Sequence, residues 1–423
     1  MRLSTTHGRQ TVVSYACKVR YRGASSLAYD KKSFAVKLLD ADGNDLDANI
    51  FGIREENSWI LDAMAIDRIR MRNRVCFDLW NEVSKTPYET NFDNRNGTKG
   101  QFVEVFINGN YHGLYCMTDK IDRKLLGLKK IKVSKTNELT VRGVLYKGNT
   151  WGSGSNLLSY DDADTSQDEW NAWEMQYPDD YPCEQTWQPL MDLIDFCSSE
   201  TTPTAFEQQF NDYFYIDNLS DYAVFIFALH ARDTPYKNTF LSTVDLTEGH
   251  RYLVTVWDLD TSLGGEWNGD HQEETVTTDR LNYIGPFNRL QQYDLGGWKT
   301  LLSEKWETWK TTLFSETALQ ERMNNYAGLF KTSGAWQREY EKWNNNPVPL
   351  CENIDDELAY VYNWYHQNYT ALSQQLTPTD PTAISQPRTT TTATTVVYNL
   401  NGQPVGPHHH GLTITQGRKY FQR

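Results

Sequence analysis

Residues 229–265 read LHARDTPYKNTFLSTVDLTEGHRYLVTVWDLDTSLGG, and the rest of the chain is organised around them. It begins at the end of an apolar run, residues 222–229, which predicts a buried helix because apolar residues occupy all of its faces. It ends with an apolar strand, residues 252–257, which is followed at once by Asp258-Leu-Asp260. Between the helix and the strand lies a polar run that contains Asp233 and, five positions later, Asn238.

The spacing of these polar residues is that of the catalytic centre of protein kinases. There, an Asp takes the proton of the substrate hydroxyl, an Asn five residues on holds a magnesium ion, and a later Asp holds magnesium against the phosphates. Asp233, Asn238 and Asp258 fit these three roles in order. The sequence differs from the kinase motifs in two places. An extra Ala separates His230 from Arg232, and Asp-Leu-Asp stands in place of Asp-Phe-Gly.

Composition excludes several classes of function. The net charge of −14 and the pI near 5.2 disfavour nucleic acid as a partner, since binding it requires clustered Lys and Arg. No apolar run approaches the roughly 18 residues of a membrane span. The six cysteines form no CxxC pair, so we expect free thiols and no zinc site. The N-terminus lacks the apolar core of a signal peptide, and a strand-like segment begins so early that we expect the start to be a truncation.

A short loop and the strand after it offer hydrogen-bond donors and a lysine to a predicted cleft. Residues 22–26, Arg-Gly-Ala-Ser-Ser, supply backbone donors and hydroxyls between two strands. In the second strand Phe34, Val36 and Leu38 share one face, so Lys37 points from the other face into a cleft. Phe-Ala-Val-Lys37 is also close to the Val-Ala-Ile-Lys in which kinases carry their phosphate-binding lysine. A solvent-facing lysine is the simpler alternative.

Residues 67–85 predict an amphipathic helix whose first turns carry four arginines. Arginines near the positive end of a helix dipole are unfavourable by a few tenths of a kcal/mol each, which invites a functional reading. We expect Arg70 and Arg74 to be solvated. Arg72, one turn after Arg68, is the one predicted to contact a specific acid or a phosphate.

Residues 102–117 predict a tight hairpin, because Asn108-Gly109 lies between two β-rich runs. Glu104 lies in its first strand and Asp119 just beyond its second. Either acid is a candidate partner of Lys37, by analogy with the lysine–glutamate pair of kinases. An edge-strand carboxylate without such a role is the alternative.

The remaining segments organise the chain. Residues 129–180 lack a clear pattern and are predicted to form an insertion or lid at the mouth of the cleft. Residues 281–376 are mostly helical, with core-facing aromatics in the last helix. A Pro/Thr-rich linker at 377–395 leads to short strands at 396–423. His408, His409 and His410 in this tail have no fourth ligand, so we do not expect a metal there.

Six stretches together resemble the spore-coat protein H (CotH) kinase family. They are YRGASS, KKSFAVKL, IDRIRMRNRVCFDLW, VEVFINGNYHGLYCMTDKID, RDTPYKN and VWDLDTSLGG, in the family's order, within residues 19–265. The resemblance implies an α+β, atypical bilobal protein-kinase-like fold over residues 1–376, with a β-rich N-lobe at about 1–185 and a mostly helical C-lobe at about 186–376. The tail separately resembles the short β tails of secreted Bacteroidetes proteins, which implies a secreted or cell-surface location.

The family resemblance also implies roles for individual residues. It implies transfer of the γ-phosphate of ATP to Ser or Thr hydroxyls of a protein, with Asp233 as the catalytic residue and Asn238 and Asp258 as ligands of Mg²⁺, or alternatively Mn²⁺. The predicted nucleotide-binding residues are Arg22, Ser25, Ser26, Lys37, Arg72, Glu104 and Asp119. The chain departs from the family's pattern at Ala24, where Asn is common, and at Asp119, where Glu is common.

Two other functions stay open at this point. The first is a kinase-like surface adhesion module without turnover, which fits the 13% aromatic residues and the two departures from the family's pattern. The second is a glycoside hydrolase that uses Asp233 with Asp258 or Asp260 as its acid and base. The hydrolase leaves Asn238 and Lys37 without a role.

Overall fold

The computed structural model describes residues 1–4, 12–152, 154–161, 164–235, 237–274 and 276–377, and in the C-terminal part the strands within 397–422. The helices are α1 (Arg72–Val83), α2 (Glu184–Cys197), α3 (Pro203–Tyr213), α4 (Ile216–Leu229), α5 (Phe287–Tyr293), α6 (Trp298–Lys310), α7 (Glu316–Thr332), α8 (Ala335–Trp343) and α9 (Ile354–Gln375). The strands are β1 (Arg2–Ser4), β2 (Val12–Ser14), β3 (Ala16–Arg22), β4 (Ser33–Leu39), β5 (Ala48–Asn49), β6 (Glu55–Glu56), β7 (Ser58–Asp62), β8 (Gly100–Ile107), β9 (Asn110–Thr118), β10 (Lys132–Val133), β11 (Leu139–Thr140), β12 (Val144–Gly148), β13 (Glu169–Trp170), β14 (Trp173–Tyr177), β15 (Thr239–Thr243), β16 (Leu253–Val256), β17 (Val397–Asn399), β18 (Pro404–Val405), β19 (Gly411–Thr415) and β20 (Arg418–Gln422). Long helices together with antiparallel sheets confirm the predicted α+β class.

The first large sheet is antiparallel, in the order β3-β4-β7-β9-β8. Side chains alternate between its faces, as the period of two requires. In β4, Phe34, Val36 and Leu38 are buried in a small apolar core with Trp59, while Lys37 is exposed on the other face, as predicted. The predicted hairpin is also confirmed, since Asn108 and Gly109 join β8 to β9 with φ values of 52° and 80°.

The second large sheet has the order β13-β14-β12-β15-β16. Its central pair joins β12 to β15, so that Tyr146 lies opposite Leu241. Residues 129–180, predicted to be irregular, therefore supply three of its strands. The sequence pattern does not reveal these strands, because each is only two to five residues long and lies in a segment rich in Gly, Ser and Asp. The lobe boundary predicted near residue 185 runs through this continuous sheet.

Helix α4 is the central element of the larger core. Every residue from Leu219 to Leu229 except Asp221 is buried, as the uniformly apolar sequence predicts. It packs against α1, α6, α9 and β16. Phe225 contacts Trp80 of α1 and Phe314 edge-on, at 5.0 and 6.2 Å between ring centroids. This packing fixes the end of α4, from which the polar run at 230–238 departs.

Helix α1 begins at Arg72, five residues later than predicted. The carboxylate of Asp67 accepts hydrogen bonds from the backbone N–H groups of Met71 and Arg72, both at 2.7 Å, and so satisfies donors of the first turn. The expectation that Arg70 and Arg74 are solvated is wrong, because both are buried. Their buried guanidinium groups hydrogen-bond to acids and to backbone carbonyl groups, which the helical period does not reveal.

Residues Met1–Thr377 form one compact unit and Pro378–Arg423 a second one. In the second unit an antiparallel sheet has the order β18-β17-β19-β20, which agrees with the strands predicted for the tail. His408, His409, His410 and the linker predicted at 377–395, apart from Thr377, lie outside the described residues. Within the part of the chain that the structure describes, no helix combines the length and the apolar character needed to cross a membrane.

Candidate active site

The polar run at 230–238 begins directly after the last residue of α4, Leu229, where the backbone turns sharply. His230 adopts a left-handed conformation with φ of 46°, and its ring Nδ1 lies 2.8 Å from Oε1 of Gln272. Burial, assisted by the charge of Arg280, lowers the pKa of His230 to about 4, so the ring is neutral at physiological pH. The imidazole therefore anchors the loop through a hydrogen bond rather than through charge.

Asp233 lies just after this anchor. Its carboxylate pairs with Lys237 at 3.0 Å, and its backbone N–H is 3.4 Å from Oγ1 of Thr261. The next residue, Thr234, is fully buried and donates its hydroxyl to the carbonyl oxygen of Trp257 at 3.2 Å. These contacts connect the loop that carries Asp233 to the segment that carries Asp258.

The hairpin β15–β16 places Asn238 beside the Asp258 segment. Thr239 pairs with Val256 in the register, so the residues that precede β15 and follow β16 are neighbours at its open end. Asn238 adopts φ of 57° and its backbone N–H donates to the carbonyl oxygen of Gly148 at 3.0 Å. Its side chain is 6% exposed, and within the described residues its amide nitrogen has no hydrogen-bond partner. A buried donor without a partner is costly, which is typical of a position that meets a ligand.

Asp258 is an exposed residue that opens into the cavity, and protein groups nearby still displace part of the water around its carboxyl group. Burial raises its pKa, Asp62 and Asp233 raise it further, and the charges of Arg22 and Lys147 lower it. Burial also raises the pKa of Asp260 well above its usual range, and Asp258 and Asp62 add to that rise. Carboxylates that repel one another in this way favour a cation between or beside them.

One cavity of about 1340 Å³ brings these groups together. Its roof is the face of the first sheet that carries Lys37, and the loops at 233–238 and 257–261 form its floor. Seven of the predicted site residues line it: Arg22, Ser25, Ser26, Lys37, Asp233, Asn238 and Asp258. The volume exceeds the several hundred Å³ of a typical small-molecule pocket, so the cavity can hold more than one small ligand.

The roof supplies positive charge. Eight Lys and Arg but only six Asp and Glu line the cavity, although the whole chain carries a net charge of −14. Arg20 and Arg22 project from β3, and within the described residues neither forms an ion pair with a carboxylate. Arg22 lies over the ring of Trp257, 5.8 Å from its centroid. An acidic protein thus presents a local basic surface to a ligand in this cavity.

The predicted pairing of Lys37 with an acid of the hairpin is wrong. Lys37 pairs with Asp45 at 2.8 Å, and both side chains are about half exposed. Glu104 forms a two-point ion pair with Arg338 of α8, at 2.7 and 2.8 Å. Strand β7 lies between β4 and the hairpin strands, and this separation, set by sheet order, keeps Lys37 and Glu104 apart.

Arg72 and Asp119 are fully buried and are not among the residues that line the cavity. Arg72 contacts a specific acid as predicted, since it pairs with Asp67 at 2.6 Å, but that acid belongs to its own helix start. Asp119 is held by Arg95 and Arg54 at 2.8 and 3.2 Å. Both residues stabilise the fold around the site, and a nucleotide in the cavity does not reach them.

The cavity also contains residues that the sequence pattern did not single out. Asp62 ends β7, Lys120 follows the hairpin, and Lys147 lies in β12, where it faces Glu174 at 3.8 Å. Burial lowers the pKa of Lys120, and the nearby Arg22 lowers it further. The only signal for these three residues in the sequence is a charged residue inside or at the end of a strand. Such residues are usually solvent-facing, so that signal was not sufficient.

The donor set fits magnesium better than a metal held by the protein alone. Among the described residues no group of three His, Cys, Asp or Glu side chains is placed to hold a metal ion. Asp258 and Asn238 offer one carboxylate and one amide oxygen at the cavity floor. Magnesium is typically held by one or two carboxylates together with substrate phosphates and water, so two protein ligands are enough.

Comparison with known proteins identifies the family of the chain. Curated proteins yield no significant match to the chain. A family model described as CotH kinase protein matches residues 19–372, which is most of the chain and includes both large sheets, the cavity and α4. The chain belongs to the CotH kinase family.

Proposed function

We propose that the protein transfers the γ-phosphate of ATP to a serine or threonine hydroxyl of another protein, in a reaction that depends on Mg²⁺ and for which Mn²⁺ is an alternative. The observation that carries the proposal is the shared cavity, in which Asp233, Asn238 and Asp258 line a floor below a basic roof. Phosphoryl transfer requires positioning and charge neutralisation more than covalent chemistry, and these residue types supply both.

Asp233 is proposed as the catalytic residue that accepts the proton of the acceptor hydroxyl. Its ion pair with Lys237 keeps a positive charge 3.0 Å from the carboxylate. Lys237 also lines the cavity, so its ammonium group is placed to contact the phosphoryl group as it approaches the hydroxyl. The buried Thr234 beside Asp233 holds the loop in place through Trp257.

Asn238 and Asp258 are proposed as the residues that hold the metal. When bound, Mg²⁺ neutralises negative charge on the phosphates and orients them for transfer. The repulsion that Asp62 and neighbouring acids exert on Asp258 and Asp260, seen in the raised pKa values of Asp258 and Asp260, is relieved when a cation binds beside them. The amide nitrogen of Asn238 gains a partner if a phosphate oxygen lies next to it.

The phosphate-binding cations are proposed to be Arg22 and Lys147, with Lys120 nearby. Both Arg22 and Lys147 lie close enough to Asp258 that their charges lower its pKa. Lys37, by contrast, is engaged with Asp45 at the outer part of the roof. The loop residues Ser25 and Ser26 line the same cavity and remain candidates for nucleotide contact.

The acceptor is proposed to be a protein outside the cytoplasm. The resemblance of residues 396–423 to the tails of secreted proteins supports a secreted or cell-surface location. The acidic balance of the chain makes nucleic acid an unfavourable partner.

The direct test compares ATP labelled on the γ-phosphate with ATP labelled on the α-phosphate, with Mg²⁺ or Mn²⁺ and a hydroxyl-rich acceptor protein. We expect label from the γ-position only. Asp233→Asn should abolish incorporation yet keep the thermal shift given by Mg-ATP, whereas Asp258→Asn should lose that shift. Asp212→Asn, an exposed acid on α3, is the matched control.

Three outcomes contradict parts of this proposal. Transfer from the α-position would show that AMP is the group transferred. Full activity of the Asp233 variant would remove its catalytic role. A wild-type protein that shows no magnesium-dependent shift with ATP would instead support the adhesion module.

A further inference from the structure

Asp258 is held in an unusual backbone conformation. Its φ and ψ are 54° and 65°, the left-handed region that is disfavoured for residues with a Cβ atom. Side chains fix the peptide groups on both sides of it. Thr234 donates to the carbonyl oxygen of Trp257, and Oδ1 of Asn73 accepts a hydrogen bond from the backbone N–H of Leu259 at 3.1 Å. Such strain persists only where the surroundings enforce it.

Asn73 is the second residue of α1, and both ends of its amide are used. While Oδ1 binds the N–H of Leu259, Nδ2 donates to the carboxylate of Asp62 at 2.9 Å. Asp62 is the last residue of β7 and also accepts the backbone N–H of Met64 at 3.0 Å. One side chain thus connects the roof sheet, the start of α1 and the segment after Asp258.

Other contacts from α1 reach the same segment. Arg72 donates to the carbonyl oxygen of Leu263 at 3.3 Å, and the thiol of Cys76 lies 3.0 Å from the hydroxyl of Ser262. These contacts lie further along the segment, whereas Asn73 binds the residue next to Asp258. A shift of α1 therefore reaches Asp258 most directly through Asn73.

This connection also joins a sheet to a helix, as an ion pair does in protein kinases. Protein kinases couple their sheet to a helix through a lysine–glutamate ion pair. Here Lys37 and Glu104, the residues expected to form that pair, bind Asp45 and Arg338. Among the described residues, the hydrogen bond between Asp62 and Asn73 joins a cavity strand to the first turn of α1.

We propose that Asn73 is a positioning residue that couples α1 and Asp62 to the left-handed turn at Asp258 and thereby sets the cation affinity of the site. The inference deepens the proposed function and depends on it for the role of the cation. The mechanical part, that Asn73 holds the backbone after Asp258, does not depend on it.

Three variants test the inference. Asn73→Ala removes both hydrogen bonds, whereas Asn73→Asp keeps an oxygen for Leu259 but turns the donor to Asp62 into a second carboxylate, which repels Asp62. Asn81→Ala is the matched control, because Asn81 is also a buried amide of α1 but donates to the carbonyl oxygen of Thr98 at 2.8 Å, away from Asp258.

The first measurement is amide hydrogen exchange of the metal-free protein. We expect exchange at Leu259 to be roughly tenfold faster in Asn73→Ala, the effect of one lost hydrogen bond. Asn73→Asp should give an intermediate exchange rate, because it keeps the acceptor for Leu259 while it repels Asp62, and Asn81→Ala should exchange at the rate of wild type. Equal exchange in wild type and Asn73→Ala, or equal acceleration in Asn73→Ala and Asn81→Ala, would overturn the inference.

The second measurement is the Mg²⁺ concentration that gives half-maximal phosphorylation. In Asn73→Ala we expect it to rise roughly tenfold, while the rate at saturating Mg²⁺ stays close to that of wild type. A loss of maximal rate without a change in Mg²⁺ dependence would contradict a positioning role. If wild type transfers no phosphate, the proposed function fails, and the exchange experiment still decides whether Asn73 holds the segment.

Discussion

Replacement of Glu339 by Gln should destabilise the protein strongly, because this carboxylate lies at the centre of a buried charged cluster. It lies 2.7 Å from Lys31 and 2.7 Å from Arg70, and it accepts the backbone N–H of Leu114 at 2.8 Å. The side chains of Lys31, Arg70 and Glu339 are all 0% exposed. Leu114 belongs to the first sheet and Glu339 to α8, so the cluster ties the roof of the cavity to the helices.

The size of the effect follows from the two cations that would remain. Removing one partner of a buried ion pair costs about 3–5 kcal/mol, because the remaining charge is uncompensated. The unit Met1–Thr377 should unfold with an entropy of about 0.8 kcal/mol per kelvin, by the usual value per residue. Together these values predict a decrease in Tm of about 4–6 °C for Glu339→Gln.

The destabilisation caused by Glu339→Gln should also depend on pH. Burial lowers the pKa of Lys31 from 10.5 to about 7, and Glu339 opposes that shift. Without the carboxylate the pKa of folded Lys31 falls further, while the unfolded chain still holds its proton up to about pH 10.5. At pH 9 the Lys31 amine is mostly neutral in folded wild type and in folded Glu339→Gln, so the missing carboxylate matters less. At pH 6 the amine of wild type is charged and paired with Glu339, whereas the variant has no carboxylate to pair with it. The destabilisation should therefore be larger at pH 6 than at pH 9.

Calorimetry or urea unfolding at the two pH values measures this effect. Glu341→Gln is the control, since Glu341 is exposed on the same helix and accepts a hydrogen bond from Gln337. A Tm for Glu339→Gln within about 1 °C of wild type would refute the magnitude. A greater loss at pH 9 than at pH 6 would refute the account of Lys31.

Three further predictions concern single charges. Asp258→Asn should raise the Tm of the metal-free protein, because it removes the repulsion from Asp62 and Asp233 that raises the pKa of that carboxyl; an unchanged or lower Tm would contradict the repulsion. Arg22→Ala should raise the ATP concentration for half-maximal activity by about tenfold or more, whereas Lys37→Ala should change it less than about twofold; the reverse order in steady-state kinetics would restore the lysine to the phosphate site. Burial raises the pKa of Asp221 to about 6 against the opposing charge of Lys305, so its contribution to stability is full below pH 3.8 and is lost as pH rises through 6. The difference in unfolding free energy between wild type and Asp221→Asn should therefore change by up to about 3 kcal/mol over this range in urea titrations, and a constant difference would argue against a raised pKa.

Local chemistry determined several features of this protein directly from the sequence. Asn108-Gly109 specifies its hairpin because both residues tolerate positive φ, and the apolar run before His230 specifies a buried helix because no face of it is polar. The spacing of Asp233, Asn238 and Asp258 also placed the three on one cavity. The reason is that the β15–β16 hairpin pairs Thr239 with Val256, which brings the residues before β15 close to those after β16. Their chemical roles stay predictions.

Tertiary structure alone decided which charges meet. Arg70, expected in solvent, is buried against Glu339, a residue 269 positions away along the chain. Glu104 meets Arg338 rather than Lys37, since the order of strands in the sheet separates the two expected partners. An ion pair depends on distances of a few ångströms between elements, and the period of a strand or helix fixes only the face from which a side chain projects.

The sequence pattern also does not predict that β12 forms part of the cavity wall. Lys147 lies in a strand of five residues whose partners, β14 and β15, are distant in sequence or separated by long loops. Short strands acquire their stability from the sheet that they join, so they carry little signal of their own. The sequence thus determined which acidic and amide side chains lie on the floor of the cavity, and the packing of distant segments determined which cations face them.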